Sequence, residues 1–528
     1  MSFQILISDP LSEEGIHPLR QTDNMEITVA TGQSEEELLS NIEQYDALLV
    51  RSQTQVTKEV IQKGKNLKVI GRAGVGVDNI DLDAATEHGV IVVNAPDGNT
   101  NSAAEHTIAM LMSLARKIPQ AFYSLKQQKW DRKSYVGVEL KGKTLGIVGL
   151  GRIGAEVAYR AKGQRLNVVA YDPYLTEERA DKMGIQCATL EEVLHQADFI
   201  TVHTPLLKAT KHIINDDAFK QMKPGVQIIN CARGGIIDED ALYRAILDGK
   251  VAGAALDVFE EEPLQNFHLL ELPEVIATPH LGASTVEAQE NVAIDVSHDV
   301  INILNGGVAR NPVNLPSLPA EVMKRIEPYF NLSEKLGTFV AHIAKEAVEE
   351  VNIYYSGDLT EHDVTPLTRN TVKGILKRFL GEHVNDVNAT YFADKKDITI
   401  NEQKTSVTKG FTNLLTVEVK TRNGFAKVAG TLLNGLGTRI VKVDTYSVDV
   451  VPTGNLVLIR HKDQPGAIGR VGSLLAQFDV NIATMQVGRS DVGGDAIMML
   501  TVDRQIDEDV LVDLKEVTDI YDVTPIDL

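Results

Sequence analysis

Thr144-Leu145-Gly146-Ile147-Val148-Gly149-Leu150-Gly151-Arg152-Ile153-Gly154 opens the stretch that decides the fold, which runs on to Asp172. Its first five residues are a short apolar run and read as a buried strand. Gly149, Gly151 and Gly154 follow in Gly-x-Gly-x-x-Gly spacing. Over residues 154–163 Val157, Ala158 and Ala161 recur at helical spacing, and residues 167–171 form a second apolar strand closed by Asp172. Strand, glycine turn, helix, strand and acid make a dinucleotide-binding unit. The glycines let the turn close and let backbone approach a pyrophosphate, to which the helix start offers free N–H groups. Asp172 would accept hydrogen bonds from the adenosine ribose, which favours NAD over a 2′-phosphorylated cofactor. An ordinary tight turn would account for the glycines and leave Asp172 unexplained.

The residues that follow repeat the pattern. Apolar runs at 199–202, 226–230, 254–258 and 275–277 read as further buried strands. They end in His203-Thr204-Pro205, Cys231-Ala232-Arg233-Gly234-Gly235, Glu260-Glu261-Glu262-Pro263 and Thr278-Pro279-His280-Leu281-Gly282, all expected on the cofactor edge. Upstream, β-runs at 4–8, 27–30, 47–50, 68–70 and 90–93 alternate with helical stretches such as 34–42 and 57–63. That alternation gives a second parallel sheet, covered on both faces. Arg51 and Arg72 stand at strand ends there, and the glycines of Gly71-Arg72-Ala73-Gly74-Val75-Gly76 suggest close approach to a bound group.

Residues 101–117 read as a connecting helix capped by Ser102. Residues 284–304 read as a helix that returns the chain to its first domain, which is then discontinuous. Lys129-Trp130-Asp131-Arg132-Lys133 holds the single tryptophan beside basic residues and suits a subunit contact. Pro312, Pro316 and Pro319 mark a linker. Beyond it a mixed region includes a helix over 371–380 and a strand over 414–420, with no catalytic set. From Leu456 the order strand, helix, strand, strand, helix, strand is a ferredoxin-like unit. The fold class is therefore α/β. A flavodoxin-like substrate domain spans 1–98 and 283–311, and a Rossmann-type domain spans 99–282. An α+β domain follows over 312–452 and a ferredoxin-like domain over 453–528.

With 528 residues, 43% of them apolar, the chain can bury three or four cores. No apolar run reaches the ~20 residues of a membrane span, and the first residues lack the parts of a signal peptide. Two cysteines, Cys187 and Cys231, make neither a disulfide framework nor a metal cluster. These features point to the cytoplasm. A net charge of −21 argues against nucleic acid or anionic membrane as partners. An anionic substrate would need positive charge focused in a cleft.

Three of the strand ends carry an arginine, a glutamate and a histidine: Arg233, Glu262 and His280. The set suits hydride transfer on a 2-hydroxy acid. Arg233 can fork onto the carboxylate. His280 can take the hydroxyl proton, and Glu262 can hold the imidazole tautomer and stabilise its protonated form. Singly, each residue is more often structural; together on one edge they form a catalytic candidate.

Gly149–Gly154, Cys231-Ala232-Arg233-Gly234-Gly235, Ala255-Leu256-Asp257-Val258-Phe259 with Glu262-Pro263, and Pro279-His280-Leu281-Gly282 resemble the signatures of the D-2-hydroxyacid dehydrogenase family. The resemblance implies those roles for Arg233, Glu262 and His280. It implies NAD contacts at Gly149, Gly151, Arg152, Ile153, Gly154, Asp172, Thr204, Cys231, Ala232, Asp257, His280, Gly282 and Ala283. The stretch from Gly71 to Asn79 and the tail from His461 to Gly469 resemble the long branch of that family, which carries an intervening domain and a C-terminal ACT domain. For that branch the implied reaction is NAD-linked oxidation of 3-phosphoglycerate to 3-phosphohydroxypyruvate, the first step of serine biosynthesis. Substrate contacts are then expected at Arg51, Arg72, Gly74, Val75 and Arg233, with Arg132 reaching a neighbouring subunit's cleft.

The ACT-like tail implies L-serine as effector. His461 and Asp463 end a strand, Pro465-Gly466 turn the chain, residues 467–478 read as a helix, and Asn481 starts the next strand. A helix start could receive serine's carboxylate, with its ammonium near Asp463 and its side chain near Asn481. Such sites lie between two ACT domains, so a homo-oligomer, dimer or tetramer, is expected. The alternatives are a glyoxylate or hydroxypyruvate reductase of the same family, and a dinucleotide-sensing binding protein.

Overall fold

The computed structural model describes residues 2–408 and 410–528. β1 (Phe3–Ile7), β2 (Met25–Val29), β3 (Ala47–Val50), β4 (Val69–Arg72) and β5 (Ile91–Asn94) form a parallel sheet in the order 2-1-3-4-5. This is the flavodoxin-like order, with its crevice where β1 and β3 diverge. Sequence reading ends the fourth strand at residue 70, yet Gly71 and Arg72 continue the ladder opposite Val93 and Asn94. Pairing, not apolarity, sets that end, and it carries Arg72 to the sheet's edge. Asp9, buried after β1, accepts the N–H groups of Arg51, Gln53 and Thr54, and so fixes the loop that carries Arg51.

β6 (Thr144–Val148), β7 (Asn167–Tyr171), β8 (Gln186–Cys187), β9 (Phe199–Val202), β10 (Val226–Asn230), β11 (Val251–Leu256) and β12 (Val275–Ala277) make the second parallel sheet. Their order, 8-7-6-9-10-11-12, reverses between β6 and β9 as in a Rossmann fold. The strand expected over 254–258 lies instead at Val251–Leu256, because its ladder with β10 starts at Val251. Helix Thr100–Arg116 packs on β10, β11 and the helix Arg152–Gly163. Asn99 is its cap residue. Ser102 lies inside the first turn and bonds the Thr285 hydroxyl instead. Helix Val286–Leu304 then returns to the first sheet, where Val292, Val296 and Val300 share a core with Ile5, Leu49 and Val69. A Cβ on Gly71 would stand 2.4 Å from Val296 Cγ1, so glycine is what lets this helix lie down on β4.

The third sheet contains β13 (Val348–Gly357), β14 (Thr399–Thr405), β15 (Asn413–Thr421), β16 (Gly424–Leu433), β17 (Gly437–Val443) and β18 (Tyr446–Val450). Helices Phe330–Ala344 and Thr365–Leu380 cross at Gly337 and Gly374. The second of these begins six residues before the sequence reading, with Pro366 in its first turn, where a missing N–H costs nothing. The fourth sheet is β19 (Asn455–Lys462), β20 (Ile482–Arg489), β21 (Asp495–Val502) and β22 (Ile520–Asp527), in the antiparallel order 20-21-19-22. Its helices, Ala467–Gln477 and Glu508–Glu516, complete the expected β-α-β-β-α-β succession. Along β19 the faces alternate. Val457 and Ile459 pack on those helices. Leu456 and Leu458 join the core of the third sheet, beside Ile353 and Val417. The last sheet is therefore covered on both sides, and its second cover is the preceding domain.

No helix among the described residues is long and apolar enough to cross a membrane.

Candidate active site

Parallel strands deliver their carboxyl ends to one edge, and the carboxyl edges of the first two sheets face each other across a cleft of about 750 Å³. The first sheet contributes Arg51, Arg72 and Gly74 to its lining; the second contributes Glu262, His280 and Ala283. His280 Nδ1 lies 2.7 Å from Glu262 Oε2, and the other carboxylate oxygen accepts the Phe259 N–H at 3.0 Å. Burial would raise the Glu262 carboxyl, but the bonds from His280 and Phe259 outweigh it and hold the group below its ordinary range.

His280 has φ 56°, a left-handed conformation for a non-glycine residue. A buried clamp holds it there. Asp257, with no exposed side-chain surface, accepts the Thr278 hydroxyl at 2.5 Å, the Leu281 N–H at 2.7 Å and the Gly282 N–H at 2.8 Å. Its own carbonyl accepts the His280 N–H at 2.9 Å. His106 Nε2 stands 3.2 Å from the same carboxylate. Burial works against the Asp257 carboxylate, and the His106 and Thr278 bonds more than offset it, so this group too sits below its ordinary range. Asp257 is thus a support for the histidine turn, spending its oxygens there and not on the open cleft. Sequence reading singled out Asp257 but missed His106 and Thr278. Thr278 was visible as the start of the histidine turn, whereas nothing local marked His106.

The arginines are seated against glycines. A Cβ on Gly74 would lie 1.6 Å from Arg72 Nη1, and one on Gly76 would lie 2.0 Å from Arg233 Nη2. Burial, with Arg233 nearby, lowers Arg72 to about 10, which leaves it a cation at neutral pH. Its Nε is buried and has no hydrogen-bond partner among the described residues. Arg233 reaches Asp78 of the first domain, Nε to Oδ2 at 3.2 Å. The Val75 carbonyl accepts the side-chain amide of Asn94, which steadies the glycine loop.

On the dinucleotide side Gly149 has φ 95°, and a Cβ there would meet the His203 carbonyl at 2.7 Å. A Cβ on Gly154 would meet the Gly149 carbonyl at 2.2 Å, whereas Gly151 faces open space. The outer glycines therefore close the turn, and the middle one leaves backbone approachable. Asp172 accepts the N–H groups of Leu150 and Tyr174, each at 2.8 Å, which aligns its carboxylate beside the loop. Arg152 pairs with Asp97 at 2.6 Å, and Ile153 packs onto the apolar core. The Thr204 hydroxyl and His203 Nδ1 are buried with no partner among the described residues. Ala232 donates its N–H to Asn230.

Two expected contacts change character. The Cys231 side chain lies in the apolar core beside Ile229 and Ala255, and burial pushes its thiol up to about 12. Any cofactor contact from that residue is left to its backbone. Arg132 lies on the exposed loop that carries Trp130 and is not among the residues lining the cleft.

The proposed effector residues are also separated. Asp463 accepts the Gly493 N–H at 3.1 Å and pairs with Arg489 at 3.1 Å, which lowers its carboxyl. His461 is buried, its Nδ1 on the Lys462 carbonyl. Asn481 donates to Asp503. His461 stands opposite Ala496 on β21 while Ile482 stands opposite Val502, at the other end of that strand. At 3.4 Å per residue those two levels are about 20 Å apart, and Asp463 and Asn481 lie beyond them, beside Gly494 and Asp503, so one chain does not gather the two into one pocket.

Residues 108–282 match the family model described as D-isomer specific 2-hydroxyacid dehydrogenase, NAD binding domain. Residues 325–444 match the D-3-phosphoglycerate dehydrogenase intervening domain, and residues 455–519 match the ACT domain. A D-3-phosphoglycerate dehydrogenase of Bacillus subtilis is 49% identical over 526 residues, with 100% of both chains covered. The chain belongs to the D-3-phosphoglycerate dehydrogenase family. A Synechocystis member of the family is 45% identical, covering 99% of this chain and 95% of its own. The catalytic half also resembles D-lactate dehydrogenase from Aquifex aeolicus, solved with NAD and lactic acid. That match has a TM-score of 0.54 at 29% identity and covers 60% of this chain and 100% of the other. Like other D-3-phosphoglycerate dehydrogenases, this chain is an NAD-dependent dehydrogenase with a small-molecule substrate and an ACT effector-binding domain.

Proposed function

We propose that the chain oxidises 3-phospho-D-glycerate to 3-phosphohydroxypyruvate with NAD, the first step of L-serine biosynthesis. The observation that carries this reading is the convergence of Arg51, Arg72 and the His280–Glu262 pair on one cleft. Arg233 grips the carboxylate and fixes the α-carbon. His280 receives the hydroxyl proton at Nε2, because Nδ1 is turned to Glu262. Glu262, ionised at neutral pH, stabilises the imidazolium that results. Bound NAD supplies the hydride acceptor; Gly151 and the start of helix Arg152–Gly163 would hold its pyrophosphate, and Asp172 its ribose. Arg51 and Arg72 hold the phosphate. A reductase of glyoxylate or hydroxypyruvate would have no second anion for them.

The domain division follows the reading above: 1–98 with 283–311, 99–282, 312–452 and 453–528. L-serine is the proposed effector. Its site would form where two ACT domains pair edge to edge, so that Asp463 of one chain meets Asn481 of another. A second subunit contact is supported by Ile118, Phe122, Leu125 and Trp130, all more than half exposed over one short segment. Two free thiols suit a reducing compartment, the cytoplasm. The deciding experiment is turnover with NAD on 3-phosphoglycerate, glycerate, lactate and the reverse reaction with glyoxylate. A marked preference for the phosphorylated acid is expected; equal use of glyoxylate would overturn the reading.

A further inference from the structure

We infer that Asp78 holds the place of the substrate's carboxylate on Arg233, and that substrate enters by exchanging with it. The inference rests on the reading of Arg233 as the carboxylate-binding group. A guanidinium offers a carboxylate two double-donor edges, Nε with Nη2 and Nη1 with Nη2. Arg233 has both engaged from inside the protein. Nε donates to Asp78 Oδ2 at 3.2 Å, and Nη1 donates to the Ala232 carbonyl at 2.7 Å. Ala232 is the adjoining residue and is itself tied to Asn230. Asp78 comes from the other domain, and its side chain is 74% exposed. It is the partner that can leave.

The seat is shaped for this exchange. A Cβ on Gly76 would lie 2.0 Å from Arg233 Nη2 and 2.8 Å from Asp78 Oδ2, so both charged groups rest on the one residue that has no side chain. Arg72 lies alongside, seated in the same manner against Gly74. Arg72 feels the repulsion of Arg233 and Arg51, which Asp78 and Asp9 oppose. Asp78 balances the cationic cluster on which a bound anion would sit. Once the anion arrives, that carboxylate becomes a competitor for the same donors. Asp78 thereby sets a higher KM without touching the proton or hydride that moves.

An exposed ion pair is worth up to about fivefold in an equilibrium constant. Replacement Asp78→Asn is therefore expected to lower the KM for 3-phosphoglycerate about three- to fivefold, with kcat and the KM for NAD unchanged. An unphosphorylated 2-hydroxy acid should show the same fall, because the contested group is the carboxylate that both share. Asp78→Glu keeps the competing charge and should keep the wild-type KM. An Asp78→Asn KM that is unchanged or raised overturns the exchange, as does an equal fall in Asp78→Glu. Arg233→Lys separates the two levels. If it leaves KM untouched, the reading of Arg233 itself fails. If it raises KM while Asp78→Asn does not lower it, only the exchange fails.

Discussion

The candidate active-site cleft and the ACT sheet assemble their residues in opposite ways. In the cleft, Arg72, Glu262 and His280 are as much as 208 positions apart in the chain, yet they line one cavity. Parallel strands all run the same way, so every crossover returns the next carboxyl end to the same edge. The ACT sheet is antiparallel. Asp463 follows β19 and Asn481 precedes β20, only 18 positions apart in the chain, yet the register puts them at opposite ends of β21. A parallel sheet can complete a site within one chain. If, as proposed above, the ACT ligand needs both ends of an antiparallel sheet, a second copy turned end for end would have to supply one of them, and the ligand would then report on assembly.

The sharpest way to break the first half of this comparison is His280→Ala. Turnover should fall about 10²–10⁴-fold, the usual contribution of a general base, while NAD binding by calorimetry stays at its wild-type value. A rate within tenfold of wild type would mean the cleft does its chemistry elsewhere.

Next in size is the phosphate end. Losing a hydrogen bond to a charged group costs about 1.5–3 kcal/mol, so Arg72→Ala should raise the KM for 3-phosphoglycerate roughly ten- to a hundredfold. For an unphosphorylated hydroxy acid the change should be much smaller. Equal changes for both substrates would move Arg72 from phosphate binding to general support of the loop.

The second half of the comparison is tested by mixing subunits. Asp463→Ala and Asn481→Ala should each abolish inhibition by serine in the homo-oligomer. A hybrid of the two variants regains one of its two sites, and random co-refolding makes half of the pairs hybrids, so about a quarter of the serine binding should return. Hybrids as insensitive as their parents would place both residues in a single chain's pocket, against the register of β21.

The smallest effect is a pH dependence of stability. Glu262 titrates below its ordinary 4.5 in the fold. A depressed carboxyl contributes stability that is complete above the unfolded value and is lost as pH falls through the folded one. Melting curves of wild type and Glu262→Gln should therefore separate above about pH 4.5 and converge in acid. A gap that stays constant from acid to neutral pH would mean the Glu262–His280 bond adds nothing to the fold.

What was legible in the sequence was whatever is local. The glycine turn after β6, the strand ends at Arg233, Glu262 and His280, and the β-α-β-β-α-β tail all rest on spacing within a few residues. The strand ladders needed neighbours: Gly71 and Arg72 look like loop until Val93 and Asn94 pair with them. Tertiary structure alone decided what meets across long separations. It brought His106 to Asp257 beneath His280, set Asp78 on Arg233, and turned the Cys231 thiol into the core. It also pressed one face of the ACT sheet onto the preceding domain. The sequence by itself determined which backbone could form strand, turn and helix, because those choices depend on nearby side chains. Which charges neutralise one another, and which residues share a pocket, depended on packing between elements hundreds of positions apart, where local pattern carries no information.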